Sequence, residues 1–129
     1  LVLWCLAKSA PTLSIFLSCD DFAINVLSSK QRILSNQFAR PAADKFSDVK
    51  WSAGFGGAPV LTDSLAIFEC RNARQYEEGD HWIIIGEVQQ FSYGDDEPLI
   101  FAGGKYAIPT HHPDDHKIHD NKDSPNLTL

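Results

Sequence analysis

The chain has 129 residues, 43% of them hydrophobic, which is enough for one domain with one core and too little for a second full domain. Its 17 acidic residues outnumber its 11 Lys and Arg, and the formal charge of -6 argues against binding to nucleic acid or to a membrane surface. No apolar run approaches the roughly 20 residues of a bilayer-spanning helix, and the apolar start lacks the basic flank of a signal peptide, so we expect a soluble, cytoplasmic protein.

The first part of the chain predicts short strands alternating with short helices. The predicted strands are Leu1 to Ala7 and Phe22 to Leu27, and the predicted helices are Pro11 to Ser18 and Lys30 to Phe38. The continuously apolar first strand is typical of a strand buried on both faces. Because the chain contains no Met and opens inside this apolar run, we expect N-terminal strands of the fold to be missing from it.

Beyond residue 50 the chain consists of apolar runs broken by turns, which predicts an antiparallel barrel or sandwich. The candidate strands are Val60-Leu61, Leu65 to Arg71, His81 to Phe91 and Pro98 to Tyr106. The glycines Gly54, Gly56 and Gly57 lack the spacing of a dinucleotide-binding fingerprint and predict a flexible connection. Residues 109–129 are polar and hold four of the five histidines, so we expect a folded domain over residues 1–108 followed by a His-rich tail.

The cysteines Cys5, Cys19 and Cys70 are odd in number and lack a Cys-x-x-Cys spacing. This pattern argues against a disulfide framework and against a structural zinc site. It predicts three buried thiols in a reducing cytosol. The tail histidines could chelate a metal, but without a folded second shell around them we favour solvation and expect no metal site.

Three short elements in the body of the chain could carry chemistry: one histidine, one Lys-Ser pair and one asparagine. His81 follows Gly79-Asp80 at a turn-to-strand junction, where a carboxylate can hold an imidazole in one tautomer for hydrogen bonding or proton exchange. The alternative is a histidine bonded to a neighbouring carbonyl. Lys8-Ser9 offers a cation and a hydroxyl for a phosphate, or forms a solvated turn. Asn25 in an apolar strand can bind the edge of a heterocycle, or lie at a sheet edge or dimer contact.

Together these segments resemble the flavin reductase family, the small NAD(P)H-dependent reductases that supply reduced flavin to two-component monooxygenases. The resemblance runs in one order over roughly positions 1 to 106. Its segments are Leu1 to Ser9, Asp21 to Leu27, Phe38-Ala39 with Asp44 to Phe46, Gly57 to Leu61, Ala66 to Arg71, Gly79 to His81 with the strand that follows, and Pro98 to Phe101 through Gly104 to Tyr106. The Phe-Ala-Ile-Asn-Val-Leu and Gly-Asp-His segments are the most specific.

The resemblance implies a split β-barrel of antiparallel strands with small helices, in a homodimer with FMN or FAD near the subunit interface. NADH or NADPH would donate a hydride from nicotinamide C4 to flavin N5. By family likeness, the flavin contacts would come from Ala7, Lys8, Ser9, Asn25 and Leu27, and the nicotinamide contacts from Phe46, Asp80 and His81. His81 would be the catalytic residue, and a monooxygenase would receive the reduced flavin.

Two rival interpretations stay open at this point. A related split barrel could bind flavin or another planar cofactor without reducing it. A small β-barrel could instead hold an apolar ligand or act only as an interaction domain, with the tail as its docking element. Oxidation of NADH in the presence of flavin separates both from a reductase.

Overall fold

The computed structural model describes residues 1–115, so His116 and His119 of the predicted tail lie outside the described residues. Its elements are β1 (Val2–Ala7), α1 (Leu13–Ser18), β2 (Asp21–Val26), α2 (Arg32–Ala39), β3 (Trp51–Ala53), β4 (Pro59–Leu61), β5 (Ala66–Glu78), β6 (His81–Tyr93), β7 (Ile100–Ala102) and β8 (Lys105–Ala107), with 3-10 helices at Ser29–Gln31 and Phe55–Gly57. None of the helices within this range is long and apolar enough to span a membrane.

The strands form one large antiparallel sheet and two small ones. The large sheet has the order β1-β6-β5-β2, and the pairs β3-β4 and β7-β8 form the two-stranded sheets. The two long strands β5 and β6 are joined by a two-residue turn in which Gly79 has a φ of 56°, a left-handed conformation that glycine adopts without a steric penalty. The predicted antiparallel β fold with small helices is confirmed.

The core lies on one face of the large sheet. Phe22, Cys70 and Ile84 are buried at its centre, and Trp4 and Leu6 from β1 pack against them. The Trp4 ring meets the rings of Phe16 and Phe22 edge to face, at 4.9 and 5.9 Å between centroids. Helix α1 is thereby held over this face, and the opposite face of β1 and β6 faces away from the core.

The prediction that the first strand is buried on both faces is wrong. β1 is an edge strand whose residues alternate between the core and the outside, so that Leu3 is 59% exposed and Cys5 is also exposed. An antiparallel sheet can leave one face uncovered, which a parallel sheet rarely does. The prediction of three buried thiols is also wrong: Cys70 is buried, but Cys5 is exposed on the outer side of β1, and Cys19, which follows α1, is half-buried.

Two strand boundaries also differ from the sequence prediction. β5 continues beyond Arg71 to Glu78, because pairing with β6 sustains a polar stretch that has little strand character of its own. The segment predicted as one strand from Pro98 to Tyr106 is a hairpin of β7 and β8. Gly103 and Gly104, with φ of 58° and 75°, form its turn.

The segment of Gly54, Gly56 and Gly57 is a defined turn rather than a flexible connection. The Gly54 amide donates to the Ala58 carbonyl at 2.8 Å, and a Cβ at Gly54 would collide with the Glu69 carboxylate. Close packing therefore requires glycine at Gly54 and at Gly56, where a Cβ would collide with the Asp21 carboxylate, whereas Gly57 is favoured by its φ of 84°.

Candidate functional site

The corner between β1 and the turn before β6 brings together most of the predicted site residues. Ala7 pairs with His81 in the β1-β6 register, and the Lys8 amide donates to the Asp80 carbonyl at 2.9 Å. The turn that follows β1 includes the exposed Ser9 and is closed by a hydrogen bond from the Ala10 amide to the Ala7 carbonyl. Five residues that are far apart in sequence, Ala7 to Ser9 with Asp80 and His81, thus form one corner of the sheet.

The Asp80 carboxylate holds the His81 imidazole. His81 Nδ1 lies 2.7 Å from Asp80 Oδ1. The hydrogen bond from His81, supported by smaller contributions that include the Lys8 charge, lowers the pKa of Asp80 below its ordinary value of 3.8. With the Nδ1 proton donated to this carboxylate, Nε2 of the neutral ring carries the lone pair. About half of the His81 side chain is exposed, so Nε2 is accessible to a ligand.

The face of the sheet that carries His81 holds the charged Glu78 and Arg74, which pair with His81 and Ile85, together with a larger group of apolar side chains. In the antiparallel register Cys5 pairs with Ile83, Leu3 with Ile85, and Ile83 in turn with Tyr76, so these side chains lie on the same side of the sheet as His81. We call this set, Leu3, Cys5, Tyr76, Ile83 and Ile85, the outer face. Leu3 and Tyr76 are 59% and 45% exposed. The His81 imidazole therefore lies at one end of this outer face, which we also call the apolar platform.

Lys8 has an ionic partner that the sequence did not indicate. Its Nζ lies 2.5 Å from the Glu77 carboxylate near the end of β5. The strand predicted from the sequence ends at Arg71, before Glu77, because the extension of β5 that carries Glu77 depends on pairing with β6. No local signal identifies this residue.

Asn25 and Leu27 lie at the end of β2, in a second group. The Asn25 carboxamide bridges to β4: its Nδ2 donates to the Pro59 carbonyl at 3.2 Å and its Oδ1 accepts from the Leu61 amide at 2.9 Å. One N–H and one lone pair of this amide stay available for other partners. The Leu27 carbonyl accepts from the Leu99 amide at 3.0 Å. Both residues thus have structural partners in the chain itself.

Phe46 belongs to a third group. Its ring packs edge to face on Phe38 and Trp51, at centroid distances of 5.1 and 5.6 Å, and its amide donates to the Asp44 carboxylate. These ring contacts link Phe46 to α2 and β3 rather than to His81. The structure therefore joins Asp80 and His81 directly, but it does not join Phe46 to them.

A cavity of about 440 Å³ lies elsewhere, beside the 3-10 helix Ser29–Gln31. It is lined by Ser28, Lys30, Gln31, Asp63, Ser64 and Asp96. The Lys30 ammonium bonds the Asp96 carboxylate at 2.7 Å, and this hydrogen bond raises the pKa of Lys30. None of the predicted site residues lines this cavity.

Comparison with known proteins finds one matching family model and relatives whose names agree with it. The family model described as "Flavin reductase like domain" matches residues 1–109. The chain is 43% identical over 107 residues to "FMN reductase (NADH) SmoA" of Agrobacterium fabrum, covering 83% of this chain and 61% of that protein. It is 33% identical over 108 residues to "Flavin-dependent monooxygenase, reductase subunit HsaB" of Rhodococcus jostii, covering 83% of this chain and 55% of that protein.

A solved structure shows the same architecture. The "NADH:FAD oxidoreductase SgcE6" of Streptomyces globisporus, solved "in complex with NAD and FAD fragments", is 33% identical and superposes with a TM-score of 0.77. The match covers 87% of this chain and 68% of that chain. The chain thus spans little more than half the length of the two relatives and about two thirds of this structure.

Proposed function

The chain belongs to the family of flavin reductase like domains, and from this membership we propose that it is an NAD(P)H-dependent flavin reductase that transfers a hydride from NADH or NADPH to FMN or FAD. The observation that carries the proposal is the Asp80-His81 pair at the end of an apolar platform, with the Lys8 ammonium at the same corner. A relative named FMN reductase (NADH) supports the activity.

The residues at this corner fit a flavin nucleotide in two respects. The apolar outer face offers a surface on which a planar ring can pack. The partly exposed Lys8 ammonium, whose ion pair with Glu77 lies toward the core face at the same end of the sheet, offers a cation for a phosphate. In the proposed site Ala7, Lys8 and Ser9 contact the phosphate or ribityl chain, while Asn25 and Leu27 lie along the flavin. When bound, flavin supplies the redox chemistry by accepting a hydride at N5 from nicotinamide C4.

We assign His81 to positioning the nicotinamide, with Asp80 and Phe46 on the same side of the ligand. Asp80 keeps the His81 proton on Nδ1, which leaves Nε2 as an acceptor for an N–H group such as a carboxamide. Hydride transfer needs no obligate acid or base from the protein, so His81 acts through orientation.

We also propose a homodimer and a monooxygenase partner, in the cytoplasm. The exposed part of the outer face, with Leu3 and Tyr76, supports a contact between two copies, because burial of such surface is favourable. The relative named as the reductase subunit of a flavin-dependent monooxygenase supports transfer of the reduced flavin to an oxygenase. The free state of Cys5, Cys19 and Cys70 supports a reducing compartment.

The deciding experiment measures NADH oxidation by the 129-residue chain with FMN or FAD added, together with flavin affinity by fluorescence titration. We expect turnover with flavin, and we expect His81→Ala to lower kcat by at least about tenfold while flavin affinity stays within a few-fold. His112→Ala is the matched control, because His112 is exposed and pairs with Asp114, away from the corner. Absence of NADH oxidation with either flavin would overturn the proposed function, and flavin binding without NADH oxidation would favour a split barrel that binds flavin without reducing it.

A further inference from the structure

Lys8 lies among carboxylates. Its ammonium bonds Glu77 at 2.5 Å, and its charge also contributes to lowering the pKa of Asp80, whose carbonyl accepts the Lys8 amide. Glu78 is the cross-strand partner of His81, at the last β5 position before the turn. The Lys8 ammonium therefore interacts with two carboxylates, those of Glu77 and Asp80.

The register explains how Glu77 reaches Lys8. Glu77 on β5 and Leu6 on β1 both pair with Trp82 on the central strand β6, so both lie on the core face of the sheet. Lys8 follows Leu6 by two positions, and its side chain meets Glu77 across the Trp82 strand. The ion pair spans three strands at the end of the sheet.

The ion pair between Lys8 and Glu77 is exposed enough for another anion to replace the Glu77 carboxylate. The Lys8 and Glu77 side chains are 39% and 58% exposed. Exposed pairs of this kind contribute little to stability, because water and salt compete for both charges. An incoming phosphomonoester, with more charge than a carboxylate and three acceptor oxygens, or a pyrophosphate with two charges, is a suitable competitor for the same ammonium.

We propose that Glu77 is a specificity-determining residue that competes with the ligand's phosphate group for Lys8. This inference rests on the proposed function. It adds that the ligand's phosphate must displace the Glu77 carboxylate from the Lys8 ammonium. Glu77 therefore weakens binding of phosphate-bearing ligands and leaves ligands without phosphate unaffected. The phosphate comes either from the flavin nucleotide or from the pyrophosphate of the nicotinamide dinucleotide.

The test compares matched ligands with and without phosphate. Dissociation constants of FMN and riboflavin are measured by quenching of flavin fluorescence at low ionic strength, without phosphate buffer, for the wild type, Glu77→Gln and Glu78→Gln. We expect Glu77→Gln to tighten FMN binding about two- to fivefold, the range that an exposed ion pair contributes, with riboflavin unchanged. Glu78→Gln is the matched control, because it removes the same charge from the neighbouring position; we expect a smaller effect from it.

Two further measurements identify the contact. In a Lys8→Gln background, Glu77→Gln should have no effect on FMN binding, because the shared ammonium is gone. The KM values of NADH and of reduced nicotinamide riboside, which lacks phosphate, are also compared between the wild type and Glu77→Gln. A lower KM for NADH alone in Glu77→Gln identifies the dinucleotide as the source of the phosphate.

The outcomes separate the two proposals. Suppose that FMN and riboflavin both bind and the wild type oxidises NADH. If Glu77→Gln then shifts both flavins equally, or matches Glu78→Gln, or leaves the FMN and NADH constants unchanged, this inference is overturned and the reductase function stands. If no variant binds either flavin or oxidises NADH, the proposed function itself fails. Inorganic phosphate should compete with FMN more strongly in Glu77→Gln than in the wild type, and equal competition would also contradict the inference.

Discussion

Replacing Asn25 by Ala tests whether this carboxamide holds the fold or only contacts a ligand. Asn25 Oδ1 accepts from the Leu61 amide at 2.9 Å, and Leu61 is only 7% exposed. Truncation leaves that buried N–H without its partner, at a cost of about 1–3 kcal/mol. It also removes the bond from Nδ2 to the Pro59 carbonyl, which contributes about 0.5–1.5 kcal/mol. We therefore expect the free energy of unfolding to fall by about 1.5–4.5 kcal/mol.

Urea unfolding of the protein without flavin measures this effect directly. Asn25→Asp keeps the acceptor for Leu61 but loses the donor to Pro59, so its stability should lie between those of Asn25→Ala and the wild type. Gln89→Ala is a control that removes an exposed amide bonded only to the neighbouring Glu87. We expect Gln89→Ala to stay within about 0.5 kcal/mol of the wild type.

A different result would refute the structural role of Asn25. If Asn25→Ala unfolds at the same urea concentration as the wild type, with the same slope, the bridge between β2 and β4 contributes nothing to the stability of the fold. If flavin affinity alone falls, the carboxamide serves the ligand.

The remaining predictions concern the corner and the core. The hydrogen bond from His81 lowers the pKa of Asp80, so the contact is present above pH 3.8 and is lost only as the pH falls through the lowered pKa. An NMR titration of the Asp80 carboxylate should therefore give a midpoint below 3.8. A midpoint at or above 3.8 would contradict the pairing. Gly86→Ala places a Cβ 2.5 Å from the Phe22 ring, so we expect a loss of about 1–3 kcal/mol in the free energy of unfolding, measured in urea, and an unchanged value would refute this packing. Burial raises the pKa of the Cys70 thiol, so the contribution of Cys70 to stability should fall as the pH rises above 9.0. At pH 8, iodoacetamide should label the exposed Cys5 well before the buried Cys70. Equal labelling rates would contradict this assignment.

Several features of the site were predictable because they depend on neighbours in sequence. The Gly79-Asp80 turn and the contact between Asp80 and His81 involve consecutive residues, and a polar Asn25 inside an apolar strand indicates that a partner must exist. The identity of that partner was not predictable, since Leu61 lies 36 positions away. Lys8 was a candidate from its place after β1, but its pairing with Glu77 required the full length of β5.

The sequence by itself determined the antiparallel β class and the short helices, because alternation of apolar residues and turn residues such as Gly79 act over a few positions. Only the tertiary structure decided that β1 lies at the sheet edge with Leu3 exposed, that the Gly103-Gly104 segment closes a hairpin, and that Glu77 meets Lys8. The physical reason is that strand order, register and the bulges of β5 and β6 are set by contacts between distant segments, and a shift of one residue moves every side chain to the other face of the sheet.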